Sequence, residues 1–198
     1  FIGWDALIYY YINNESFKAI SEIEDYRSEA VKRELPKDLA RSYRFLGDLN
    51  LKQNEVYNAI DNFRKGTESS DSINEWRNAS YCYSQIGRCL MTLHDYKGAI
   101  KAWDESIKRY KGIASKINIP SDRIHQALAY YYLKNYDKMR TIYKSVEKIE
   151  FTSSFTQTRK MMLRSYIALV DKEYSKSLAI ADSIKEDLMR YIVKDHIY

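Results

Sequence analysis

Apolar residues recur along the chain at helical spacing, and two blocks repeat one another. Tyr43, Leu46, Gly47, Ala59 and Phe63 form the first block, and Tyr83, Ile86, Gly87, Ala99 and Trp103 the second. Both keep the same internal offsets, +3, +4, +16 and +20, and the second block is the first shifted by forty positions. In each, an aromatic, an aliphatic and a small residue precede a polar break, Lys52-Gln53-Asn54-Glu55 or Leu93-His94-Asp95. After the break, Tyr96, Ala99, Ile100, Trp103, Ile107 and Tyr110 line one face of a helix, because positions three, four and seven apart share a side. Each block therefore predicts two amphipathic helices joined by a short turn. Gly47 and Gly87 are expected where the first helix crosses the second, a missing side chain letting the backbones approach. Ala59 and Ala99 are the expected small partners, and Phe63 and Trp103 are expected to reach across to the next unit.

Weaker copies flank these two. Trp4, Leu7, Tyr11 and Phe17 match toward the N-terminus, with Ile8 at the glycine position, while Glu24 breaks the second half of that copy. Ala127, Tyr130, Tyr136, Met139 and Tyr143 form a fourth copy, and Ser165, Ala168, Tyr174, Ser177 and Ala181 a looser fifth. The small-residue position then falls at 8, 47, 87, 127 and 165. This spacing predicts one continuous all-α array of five helix pairs, with approximate bounds 1–35, 36–72, 73–119, 120–153 and 154–198. Pro36 ahead of Asp38 and Pro120-Ser121-Asp122 read as helix starts. The polar runs Thr67–Ser72 and Phe151–Ser154 read as loops between units.

Composition narrows the class. Six Gly and two Pro in 198 residues are too few for the tight turns of a β-sandwich. No apolar run approaches the roughly 20 residues needed to cross a bilayer. The net charge of +5 runs from −2 over residues 1–50 through +3 over 51–120 to +4 over 121–198. No block of like charge marks a nucleic-acid arm. Cys82 and Cys89, seven apart on one helix, are too distant for a disulfide, which fits a reducing, cytoplasmic setting. A chain that begins at Phe1 without a leader pattern reads as a fragment or processed product whose upstream segments are unseen.

The order of residues about Gly47 and Gly87 resembles the tetratricopeptide repeat (TPR), with Leu or Ile before Gly, and Ala and an aromatic on the second helix. Tyr96 takes that family's further aromatic place, and Tyr57 lies one position off. Asn50 and Gly66 depart from the pattern, and the period of about 40 exceeds the family's 34. The resemblance implies a right-handed α-solenoid whose concave face is lined by the first helix of each pair. Carried over by position, it implies ligand-facing Arg41, Arg44, Phe45, Asp48 and Lys52 in the Gly47 unit, and Tyr81, Ser84, Gln85, Arg88 and Thr92 in the Gly87 unit. It implies Ser121, Ile124, His125, Leu128 and Tyr132 in the fourth unit, and Arg159, Met162, Leu163, Tyr166 and Val170 in the fifth. Asp5, Tyr9 and Asn13 are their counterparts in the first.

Arg41, Arg44, Lys52 and Arg88 suggest a basic cluster with Asp48 as its acid, and Tyr81, Tyr132 and Tyr166 add amphipathic surface. Together they suit a protein or peptide segment with acidic groups. The alternative is that these arginines pair with carboxylates of neighbouring helices. Two subtypes of the family fit poorly. Carboxylate-gripping chaperone binders use Lys and Asn where Ile2, Ala6 and Tyr9 stand here. Peptide-pheromone receptors often place Asn where Ala6, Phe45, Gln85, His125 and Leu163 stand, and only Gln85 resembles it.

Nothing catalytic is legible. Phosphate-binding loops, nucleophile elbows and metalloprotease motifs are missing, and His94, His125 and His196 lack ligands at metal spacing. The expectation is a non-enzymatic binding scaffold or adaptor without cofactor or metal. The alternative is the sensory segment of a larger regulator whose effector domain lies elsewhere. Direct nucleic-acid binding is disfavoured for want of a basic-aromatic motif. Leu178, Ile180, Ala181, Ile184, Leu188, Tyr191, Ile192 and Ile197 make the last helix unusually apolar, which fits either packing on its predecessor or a dimer contact.

Overall fold

Over residues 16–92 a helix of 17 residues followed by a three-residue turn recurs, and its length sets the period of a pair. The computed structural model describes residues 4–110, 118–151 and 153–195, with side chains described except at Ala6, Asn118 and 187–195. All regular structure among them is helical. The chain forms two compact units, Phe1–Ser115 and Lys116–Tyr198. The first contains α1 (Trp4–Asn14), α2 (Ser16–Lys32), α3 (Pro36–Lys52), α4 (Val56–Ser72), α5 (Trp76–Thr92) and α6 (Tyr96–Tyr110). The second contains α7 (Asn118–Tyr132), α8 (Tyr136–Val146), α9 (Ser154–Val170) and α10 (Tyr174–Asp195).

The turns share one backbone device. Glu34, Asn54, Asn74, His94, Lys134 and Lys172 all adopt positive φ, between 52° and 63°. After α3, the Asn54 N–H donates to the Leu51 carbonyl at 3.1 Å and the Glu55 N–H to the Asn50 carbonyl at 2.8 Å. The same pair of bonds closes α2, α4, α5, α7 and α9. This is the Schellman termination, which satisfies the last carbonyls of a helix and reverses the chain. Glycine occupies none of these left-handed positions, although a side chain there costs roughly 1 kcal/mol.

Packing within the first unit turns on rings lying over glycines. A Cβ on Gly47 would stand 2.5 Å from the Phe63 ring, and one on Gly87 would stand 2.5 Å from the Trp103 indole nitrogen. The glycines thus make room for an aromatic of the second helix in the same pair, rather than for a close approach of backbones. Phe63 then joins Cys82, Ile86 and Cys89 of α5 in one buried cluster, and so also reaches the following pair. Trp103 is fully buried and donates its indole N–H to the Ser84 carbonyl at 3.2 Å.

Three further sequence expectations need correction. Thr67–Ser72 is helical, not a loop: Thr67 and Ser70 are buried on α4, and their hydroxyls donate to the Arg64 and Gly66 carbonyls. The run is polar because Ser70 also accepts from the buried Asn78 amide of α5 at 2.7 Å. The fourth pair starts at Asn118, ahead of Ser121. On the second helix of the first pair, the buried Ala19 and Ile23 take the places of Ala59 and Phe63, each forty positions earlier, so that half of the pair keeps the pattern despite Glu24. The step from Ile8 to Ala19 is one position shorter than that from Gly47 to Ala59, because Glu15 alone separates α1 from α2.

In the second unit, Ile124, Ala127, Leu128, Met139, Tyr143, Val146, Leu163 and Ala168 are buried. Ser165 and Ser177 join α9 to α10 through reciprocal hydroxyl and carbonyl bonds of 3.0 and 3.1 Å. The buried Lys160 ammonium donates to the Ile149 carbonyl at 2.6 Å, closing the end of α8. On α10, Leu178 is exposed and Ile180 and Ile184 are half-buried, while Leu188, Tyr191, Ile192 and Ile197 lie outside the described side chains.

Candidate functional site

Alternate helices of the first unit, α1, α3 and α5, bring together side chains that lie far apart in the chain. Asp48 of α3 is the hub. One carboxylate oxygen accepts the Tyr81 hydroxyl of α5 at 2.8 Å, and the other accepts the Tyr9 hydroxyl of α1 at 3.3 Å. One turn earlier on α3, the Arg44 guanidinium lies 5.3 Å from the Tyr81 ring centre, 5.7 Å from that of Tyr9 and 4.9 Å from that of Phe45. Cations over ring faces are attracted by the ring quadrupole, by about 0.5–2 kcal/mol each.

The electrostatics follow from burial. Loss of hydration pushes the Asp48 carboxyl up to about 6, although the Tyr81 hydrogen bond, Arg44, Tyr9 and Arg88 all favour its ionised form. Burial likewise pushes the Tyr9 hydroxyl up to about 12 and the Tyr81 hydroxyl higher still, so both remain donors. The Cys82 thiol is driven upward in the same way, and Cys89 to about 11, which makes both inert packing groups.

The other expected site residues divide. Arg41 of α3 pairs with Asp5 of α1 at 3.8 Å and with Asp38 at 3.6 Å, so its charge is offset within the unit. Lys52 and Arg88 are exposed, and the Arg88 guanidinium donates to Gln85 at 3.0 Å. Ser84 is half-buried, and its carbonyl holds Trp103. Phe45 is fully buried and meets Tyr9 and Tyr26 edge-on at 5.3 and 5.6 Å, so it faces the core and offers a ligand nothing. Gln85 is also buried.

In the second unit, His125 is buried on α7 together with Ile124 and Leu128, and Leu163 is buried on α9. Tyr132 is exposed, whereas Tyr166 of α9 stacks on Tyr131 of α7 at 4.4 Å with 13° between planes. Arg159 lies over its own-helix neighbour Phe155 at 4.3 Å. Asp5 and Tyr9, set beside the other candidates only through a family position, prove to be partners of Arg41 and Asp48. Reading α1 as a first helix is the signal that finds them. Among the described residues, no group of three or more His, Cys, Asp or Glu could hold a metal, and no helix is long and apolar enough to cross a membrane.

Helix pairs closed by short turns, with aromatic rings seated on glycines, define a TPR-like repeat. Solved structures share this arrangement. The apo form of RapI matches 96% of this chain and 73% of its own, with a TM-score of 0.76 at 17% identity. BtubC (BKLC) of P. vanneervenii matches 94% of this chain and 76% of its own, with a TM-score of 0.71 at 13% identity. A kinesin-light-chain-type protein of Podosopora anserina, with nearly identical TPR-like repeats, matches 96% of this chain and 95% of its own, with a TM-score of 0.68 at 8% identity. Identities this low speak for the fold alone. No family profile and no curated protein matches the chain.

Proposed function

We propose that the face carried by α1, α3 and α5 binds a segment of a protein or peptide and that the protein acts as an adaptor through it. The observation that carries this reading is the Tyr9–Asp48–Tyr81 bridge with Arg44 beside it, which sets amphipathic rings and a cation on three alternate helices. Surfaces rich in Tyr and Arg are those from which partners gain most of their binding energy. Ionic support for an acidic partner comes from Arg44 and Lys52 rather than from Arg41, whose carboxylate partners already stand beside it, and the exposed Arg88 adds positive charge nearby.

Selection of short peptides from a displayed random library on the whole chain tests the proposal. Segments selected on the native protein are expected to lose at least tenfold in affinity to a Lys52→Glu, Arg88→Glu variant with unchanged circular dichroism. Equal binding to both proteins, or no selected segment, would overturn it.

A further inference from the structure

Arg44 differs from two other arginines of the first unit. Arg109 bridges Asp71 and Glu105, and Arg41 bridges Asp5 and Asp38. The Arg44 guanidinium has ring faces around it, yet no described acceptor reaches it, and its Nε is shut off from solvent without a partner. Asp48, one turn along α3, is the obvious candidate, but its two oxygens already accept the hydroxyls of Tyr81 and Tyr9. The rings stabilise the charge of the guanidinium while leaving its planar N–H edge unused. Arg44 as a whole is half-buried, only its Nε being fully enclosed, and the outer edge of a guanidinium matches a carboxylate in a two-pronged fit.

We propose that Arg44 is the anchor for one Asp or Glu side chain of the bound segment, seated between Tyr9 and Tyr81. The proposal rests on the preceding reading of this face as a segment-binding surface. A side chain is favoured over a chain end because Arg44 sits on the middle helix of the three. A segment crossing α1, α3 and α5 passes it midway. A single carboxylate is favoured over a phosphate because the neighbouring Asp48 charge repels a dianion more strongly.

Proton linkage follows. The groups facing Asp48 are Tyr9 from α1, Arg44 on its own helix, and Tyr81, Cys82, Arg88 and Cys89 from α5. Of these, Asp48 alone titrates between pH 5 and 8, since the hydroxyls and thiols are displaced well above that range. A carboxylate on Arg44 adds a second negative charge beside Asp48 and favours its protonation. Binding therefore takes up a proton and tightens as pH falls toward 5.5, where an ordinary Glu side chain is still ionised.

The Arg44 Nε–H cross-peak in proton–nitrogen NMR of the whole chain reads this directly, assigned by its loss in Arg44→Lys. The probes are N-acetyl-glutamate N-methylamide, its glutamine counterpart and the phosphoserine counterpart. A saturable shift is expected with the glutamate probe and none with glutamine. Affinity should rise at least threefold from pH 7.5 to 5.5, with that rise abolished in Asp48→Asn. Arg44→Lys, which keeps the charge but loses the fork, should bind at least tenfold more weakly. An unmoved cross-peak, equal shifts with glutamate and glutamine, or tighter phosphoserine binding would overturn the proposal. Library segments that bind this face but carry no acidic residue would sink the anchor and leave the binding face standing. A cross-peak that answers glutamate while no segment is selected would do the reverse.

Discussion

The two compact units solve the same packing problem with different residues. In residues 1–115, Gly47 and Gly87 let a whole ring, Phe63 or Trp103, settle onto the surface of the first helix. The four helices α2 to α5 are all 17 residues long. In residues 116–198, the corresponding places hold Ala127 and Ser165, α8 is 11 residues long, and Ser165 meets Ser177 through hydroxyl bonds. A ring fitted over a missing Cβ tolerates no slip, because the nearest atoms stand at 2.5 Å from where a methyl would be. Small polar contacts between α9 and α10 demand less, and the repeat interval from Ala127 to Ser165 departs from forty accordingly.

That difference can be broken most severely at the rings. Trp103→Ala should destabilise the protein by about 3–5 kcal/mol, the usual range for a buried aromatic cut back to a methyl. Tyr143→Ala, at the matching place in the second unit and slightly exposed, should cost clearly less. Urea unfolding, with amide exchange followed separately over α5 and α9, measures both. Asp48 provides the next test. Its carboxyl is raised in the folded state from an ordinary 3.8 to about 6, so the stability it confers is present at low pH and is lost as pH rises through about 6. Asp48→Asn should therefore gain about 2–3 kcal/mol at pH 7.5, the gap closing toward pH 4. A pH-independent difference in urea midpoint would contradict this origin.

Smaller effects sharpen the contrast at the glycines. Gly87→Ala should cost about 1–3 kcal/mol by overpacking against Trp103, despite the better helix propensity of alanine. Ala127→Gly in the second unit should cost only about 1 kcal/mol, the helix-propensity difference. Thermal midpoints of the two variants rank them. The smallest change concerns the turns. Lys134→Gly and Lys172→Gly should each stabilise by about 0.5–1 kcal/mol by relieving a left-handed side chain, and Asn54→Gly by less, since Asn tolerates that conformation.

Much of the fold was legible because burial of one helix face imposes apolar residues at i+3, i+4 and i+7. The pairs about Gly47 and Gly87 followed from it, while polar breaks marked the turns at Asn54 and His94 and proline marked the helix start at Pro36. Thr67–Ser72 misled because Ser and Thr satisfy their hydroxyls on the helix backbone, so a polar run can remain helical and buried. The site was half legible. Arg44, Asp48 and Tyr81 came from positions along α3 and α5. Which arginine lacked a partner depended instead on where Asp5 of another helix and Asp38 of the same helix came to lie, and both fell beside Arg41. Phe45 was misplaced because adjacent helix positions turn by about 100°, enough to carry a side chain from groove to core.

The equal helix-plus-turn lengths of α2 to α5 also say what kinds of change in chain length that stretch can absorb. One residue inserted between Gly87 and Arg88 would rotate the rest of α5 and α6 by about 100° against Gly87, lifting Gly87 from under Trp103 and swinging Arg88 off its face. Within residues 16–92, gaining or losing one whole helix with its turn would leave the other helices intact but reverse the direction of the later ones, exchanging first helices for second. A complete pair restores direction and register together, so copying or excising a whole pair is the edit in chain length that this stretch can survive.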